Sequence, residues 1–299
     1  MKDIQISDYR SPHYTGKAMK MGAGVQGFEA YSAANDRGLA VVGGECPTVG
    51  VAGGYAQGGG HSALASKYGL AADQVLEWEV IDGEGKYHLA SRTQNTDLFW
   101  ALGGGGGGTY GVVTSMTAKA HPDIPVSGAN LTFTNDGISQ DTFYEAVAAY
   151  HAILPTIVDA GVMSICIFTN TTFVLGPLTG PGLPAVELEQ LLMPFLNKLK
   201  QLHIKYLWVV RQFPGYLAQF TAMQFPIQVG TSQYGGRLIP RSVVADENEK
   251  LTSAYRFINE NGGVVCGVAV NVSTKVAGNV YNAIHPVWRE TLIDTVILT

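Results

Sequence analysis

The chain has 299 residues, 46% of them hydrophobic and 14% charged, with a formal net charge of −5. That length buries a sizeable core in one large domain or two smaller ones, and the composition excludes a disordered chain. The acidic balance, with no Lys/Arg cluster, excludes a nucleic-acid partner, and no apolar stretch reaches the roughly 18 residues of a membrane span.

In chain order, the opening Met1-Lys2-Asp3-Ile4-Gln5 lacks the apolar run of a signal peptide, which leaves the compartment unassigned. Residues 1–120 are glycine-rich, with a helical segment over 28–35 and strand-like β-branched runs at 39–42, 75–82 and 112–118. Two prolines in His121-Pro122-Asp123-Ile124-Pro125 mark a boundary. Beyond it, Phe143, Val147, Tyr150 and Leu154 recur at helical intervals, as do Leu188, Leu191, Phe195, Leu199 and Leu202, with Pro194 predicting a kink or break. Asp246 and Glu249 mark a further helix start. Strand-like runs fall at 162–168, 172–175, 204–210, 229–239 and 263–272. The pattern predicts an α+β fold in two domains, 1–120 and 121–299, the second a sheet covered on one face by helices.

The densest chemical signal is residues 43–61, where eight glycines surround Cys46, Pro47 and His61. Glycine loses more backbone freedom on folding than other residues, and the usual compensation is close approach of backbone N–H groups to a ligand such as a phosphate. A second loop, Gly103 to Gly108, satisfies Gly-X-Gly-X-X-Gly. It follows a helix-like segment and enters a β-branched run, the reverse of the order a nicotinamide-dinucleotide site requires.

Cys-Pro-Thr-Val-Gly at 46–50, the Gly58-Gly59-Gly60 triplet, Tyr68-Gly69-Leu70-Ala71-Ala72-Asp73-Gln74-Val75, and Asp97-Leu98-Phe99-Trp100-Ala101-Leu102 before the second glycine loop resemble the berberine-bridge-enzyme-like branch of the FAD-linked oxidases. The fungal, isoamyl-alcohol-oxidase-like members involved in secondary metabolism are the most similar. The resemblance implies the C-terminal part of an FAD-binding (PCMH-type) domain followed by an antiparallel, helix-covered substrate domain. It also implies FAD as cofactor, a small-molecule substrate and O2 as acceptor.

Carried over position by position, the resemblance nominates Cys46, Thr48, Gly50, Gly53, Gly54, Gly58, Gly59, Gly60, Asp73, Gly108, Gly111, Val112 and Val113 as cofactor-binding. Cys46 is either a small buried hydrophobe or the thiolate that attaches the flavin ring through a thioether, a step that clustered backbone N–H groups favour. Asp73 reads equally as a turn residue bonded to its own backbone. His61 stands where relatives carry a Tyr beside the flavin, and is either a proton acceptor for the substrate or a loop histidine. Gly103 departs from the commoner Ala-Leu-Ser-Gly form. Gln224, Gln228, Gln233, Tyr234 and Arg237 either line a pocket or cover an exposed sheet face. No metal-ligand spacing occurs, and Cys166 and Cys266 read as inert buried thiols. A Gly-His-Asp motif and an Asn-Glu-Ala-Asp-like segment of the family are missing from the sequence, which predicts truncation at both ends. The rival expectation is a non-catalytic fragment unable to retain FAD.

Overall fold

The structure, a computed structural model, describes residues 1–224 and 232–299, and divides into two compact units. The first comprises Met1–Ile124, Gly215–Leu217 and Val272–Trp288. Its sheet contains β1 (Ile4–Arg10), β2 (Thr15–Gly22), β3 (Val75–Ile81), β4 (Tyr87–Ser91) and β5 (Val112–Lys119) in the order β1-β2-β5-β3-β4, antiparallel throughout. Alternation decides which face is buried: in β3, Trp78 and Val80 go inside while Glu77 and Glu79 stay at the rim, and Met19, Met21 and Met116 close over Trp78's side of the sheet core. Helix α1 (Gly27–Asn35) starts with the Gln26 backbone N–H donating to the Glu29 carboxylate at 2.9 Å. Helix α2 (Thr96–Leu102) buries Phe99 and Leu102. The strand expected over 39–42 pairs only at Leu39–Ala40, with His121–Pro122, because the chain then turns into glycine.

The second unit comprises Pro125–Pro214, Ala218–Asn271 and Arg289–Thr299. Its seven strands are β6 (Val126–Thr134), β7 (Met163–Phe168), β8 (Thr172–Pro181), β9 (Tyr206–Phe213), β10 (Tyr234–Pro240), β11 (Val264–Ala269) and β12 (Thr291–Leu298), ordered β9-β6-β8-β7-β11-β12-β10 and all antiparallel. Helices α3 (Gln140–Asp159), α4 (Ala185–Gln201) and α5 (Asn248–Glu260) pack onto this sheet through the spaced apolar residues. Phe133, Phe143, Phe168, Phe173, Phe195 and Tyr150 form a linked ring cluster, with Phe133 and Phe173 centroids 4.9 Å apart and Tyr150 5.2 Å from Phe173. Such tilted and offset contacts add to the area buried.

Two expectations are corrected here. Pro194 does not break α4, which runs unbroken to Gln201: the proline faces solvent, where water can take the carbonyl that loses its partner. The helix expected from Asp246 begins instead at Asn248, since Asp246 closes the preceding turn Arg241–Asp246. Part of the 229–239 run lies outside the described residues, and the rest is β10. Among the described residues no helix is long and apolar enough to cross a membrane.

Candidate cofactor and active site

Both glycine loops belong to the first unit. After the short pair at Leu39–Ala40 the chain runs through Gly43 to Gly50, makes one wide helical turn over Val51–Tyr55 and a tight one over Ala56–Gly58, then reverses at Gly59 and Gly60. Gly60 has φ +72, and a Cβ there would lie 2.7 Å from the Tyr55 ring and 2.9 Å from Ala71, so the reversal requires glycine. Two tyrosines pin the ends: buried Tyr31 donates its O–H to the Gly44 carbonyl at 2.6 Å, and half-buried Tyr55 donates to the His61 carbonyl at 2.5 Å.

The second loop is bound to the first by Gln57, whose backbone carbonyl accepts from the N–H groups of Gly104 and Gly106, each at 2.9 Å. The Gln57 side-chain amide donates to the carbonyls of Ala52 and Gly53. The loops touch: a Cβ at Gly107 would lie 3.0 Å from the Gly54 Cα. The returning segment covers the other side, with the Ala283 N–H bonded to the carbonyls of Trp100 and Gly103.

What remains open is glycine backbone. Gly53, Gly54, Gly58 and Gly108 are exposed, and no protein atom lies within 4 Å of a Cβ position at Gly54, Gly58 or Gly108. Thr48 and Val112 are exposed beside them. This is a surface where flat, phosphate-bearing groups can approach the main chain, and in that respect the residues present fit FAD. The other nominated residues are engaged within the protein. Gly50 begins the wide turn, Gly59 is buried and Gly60 packs on Tyr55. Gly111 would place a Cβ 2.7 Å from the Ile81 carbonyl, and Val113 is in the core. Asp73 accepts from the Leu70 N–H at 2.9 Å and from the Asn282 amide at 2.8 Å, so its carboxylate closes a turn and ties down the returning segment.

Cys46 and His61 come together. They line one cavity of about 280 Å³ with Gly44, Glu45, Val49, Tyr55, Gly58, Gly60 and Trp288. Cys46 is half-buried, with Sγ 3.5 Å from the Thr48 hydroxyl. His61 Nδ1 is 3.3 Å from the Glu45 Oε2. Glu45 is only 9% exposed, and its Oε1 has no hydrogen-bond partner in the structure. Burial first, with the Glu45 charge adding to it, raises the Tyr55 phenol well above its usual range. Burial and neighbouring Tyr216, Tyr55 and Glu45 do the same to Tyr31. Both phenols therefore stay protonated donors.

Sequence reasoning missed Glu45, Gln57 and Trp288. Glu45 had a signal, being the only charged side chain between Arg37 and Lys67. Trp288 had none, because it arrives from a distant segment. Cys166 is buried, and burial with nearby Cys266 pushes its thiol up to about 12, whereas Cys266 is only half-buried; neither forms a disulfide. Gln228 lies outside the described residues, while Tyr234 and Arg237 are exposed on β10.

A family model for an FAD-binding domain matches residues 4–91. The FAD-linked oxidoreductase patO of Aspergillus clavatus is 49% identical over 302 residues, spanning 100% of this chain and 53% of that protein. The FAD-linked oxidoreductase sthB of Phaeosphaeria nodorum is 44% identical over 231 residues, spanning 77% of this chain and 73% of its own length. Among solved structures, the VAO-type flavoprotein MtVAO615 from Myceliophthora thermophila superposes with a TM-score of 0.90 at 39% identity, over 99% of this chain and 55% of the other. The berberine-bridge-like protein 1 of Physcomitrella patens, at 19% identity and TM-score 0.78, shares the fold, over 99% of this chain and 64% of its own. The chain spans about half the length of the curated relatives it matches first. With an FAD-binding segment, an antiparallel helix-covered second unit and these relatives, the chain belongs to the FAD-linked oxidoreductases, and its cofactor is FAD.

Proposed function

We propose that this chain takes part in an oxidase reaction in which an alcohol or amine carbon of a small molecule is oxidised at the cavity shared by Cys46 and His61. The observation that carries the reading is that cavity: a half-buried thiol and an imidazole face the same space beside bare glycine backbone. Exposed backbone at Gly53, Gly54, Gly58 and Gly108, with Thr48 and Val112, would hold FAD. Gly50, Gly59, Gly60, Gly111, Val113 and Asp73 would act by shaping those loops. Cys46 would anchor the cofactor through its sulfur.

When bound, FAD supplies the acceptor for a hydride, and O2 removes the electrons afterwards as hydrogen peroxide. The protein's own work is to orient the donor carbon, keep water out and take the hydroxyl or amine proton. His61, on the wall of the same cavity with Nδ1 3.3 Å from the Glu45 carboxylate, would take that proton.

The test is anaerobic mixing with a panel of alcohols and amines, following loss of flavin absorbance. A donor that bleaches the flavin and then yields peroxide in air is the expected result, and His61→Ala should slow bleaching by about 100-fold or more without releasing flavin. Unchanged bleaching in His61→Ala would remove its role, and no bleaching by any donor class would contradict the reaction assigned.

A further inference from the structure

A second cavity of the first unit, of about 230 Å³, is lined by two cations, Lys119 and Arg92. Lys119 ends β5, and Arg92 directly follows β4. Val112, beside the open glycine surface, begins the same β5, so the two places are separated by roughly 23 Å of extended strand at about 3.3 Å per residue. Lys119 is half-buried; its ammonium hydrogen-bonds to the Asp73 backbone carbonyl at 3.3 Å and sits 5.7 Å from the centre of the Tyr14 ring. Arg92 is also half-buried and donates to the Asn279 carbonyl at 3.3 Å. Among the described residues neither side chain forms an ion pair. An ammonium carries three N–H donors and a guanidinium five, so most of these donors have no protein acceptor. Burial lowers the Lys119 pKa, Asp73 opposes that and Arg92 adds to it, so the two cations feel one another.

Asp73 is the one carboxylate on this lining among the described residues. Its oxygens accept from the Leu70 N–H and the Asn282 amide, and its charge offsets one of the two cations. One positive charge is left to match. The other titratable side chains on the lining, His13 and Tyr281, are exposed. Buried Leu76 and Phe99 add an apolar wall. We propose that this cavity binds a small organic monoanion, a carboxylate with a compact apolar body, whose oxygens accept from Lys119 and Arg92 while the body lies against Leu76 and Phe99. Hydrogen bonds between charged partners are about twice as strong as neutral ones, and a half-buried setting weakens them less than open water does. The volume equals that of roughly seven or eight waters at about 30 Å³ each, which suits a single-ring acid. A phosphate dianion would bring one negative charge too many.

The experiment is calorimetric titration of the flavin-loaded protein with benzoate, acetate and inorganic phosphate, with the flavin spectrum followed in parallel. Benzoate should bind at millimolar concentration or below, more tightly than acetate or phosphate, and should leave the flavin spectrum unchanged. Lys119→Gln and Arg92→Gln should each weaken benzoate about tenfold or more. Arg92 lies outside the strands, so its variant tests the site even if the β5 position tolerates no change. Benzoate binding that is unaltered in Arg92→Gln, that shifts the flavin spectrum, or that is absent at millimolar concentration overturns the proposal. Phosphate binding more tightly than benzoate overturns the choice of a monoanion, and acetate binding equally well overturns the contact with Leu76 and Phe99.

Discussion

Gly60 and Gly58 lie two residues apart and are glycine for different reasons. At Gly60 the backbone is left-handed and a Cβ would press on Tyr55 and Ala71. Gly60→Ala should therefore cost about 2–4 kcal/mol of stability, read as a lower midpoint in denaturant. At Gly54 and Gly58 nothing lies within 4 Å and the backbone is not left-handed. Alanine there should leave stability within about 0.5 kcal/mol while weakening FAD retention, measured by flavin lost on dilution. Equal stability losses at all three positions would show that the exposed glycines serve the fold rather than a ligand. The sequence displayed all eight glycines of the loop alike. Which of them face open space depends on Tyr55 and Ala71, and no local pattern reveals that. Glu45 was legible as an isolated charge, but its partner was not, since the turn at Gly59 and Gly60 is what brings position 61 back to it.

At the scale of elements, helix α3 carries a histidine in its buried stripe. His151 is 1% exposed, among Tyr150, Phe168 and Tyr255, and its Nδ1 has no partner in the structure. Burial lowers its pKa from 6.5 to about 3. In the first unit, burial and then nearby Lys119 lower His121 to about 4. Both are depressed in the folded state, so the unfolded chain takes up protons first as pH falls below about 6.5. Stability is fully present above that pH and is lost progressively down towards pH 3–4. For His151 alone the loss by pH 4 is about 3 kcal/mol. Chemical denaturation at pH 7 and pH 4 should show a steep fall, and His151→Leu should reduce it; an equal fall in the variant would contradict this account. The helices were readable because their apolar residues keep a 3.6-residue period. Strand β1 escaped notice because it is an edge strand with no fully buried residue, so its alternation is faint. Pro194 misled because solvent exposure removes most of the penalty a buried proline would carry.

For the whole molecule, the family was legible from short motifs, whereas strand order was not. Strand β11 lies beside β7, with Cys266 opposite Ile167, and residues 272–288 return to the first unit to cover its second glycine loop. Pairings between such distant segments depend on which faces remain to be buried once each unit collapses, and local periodicity does not encode them. The central claim, that these loops hold FAD with sulfur at the ring, is tested most directly by the intact mass of acid-denatured protein. The predicted result is a polypeptide heavier by one FAD, yellow after denaturation, with both properties lost in Cys46→Ala. A colourless polypeptide of its bare sequence mass, which also fails to quench the fluorescence of added FAD when folded, would contradict it.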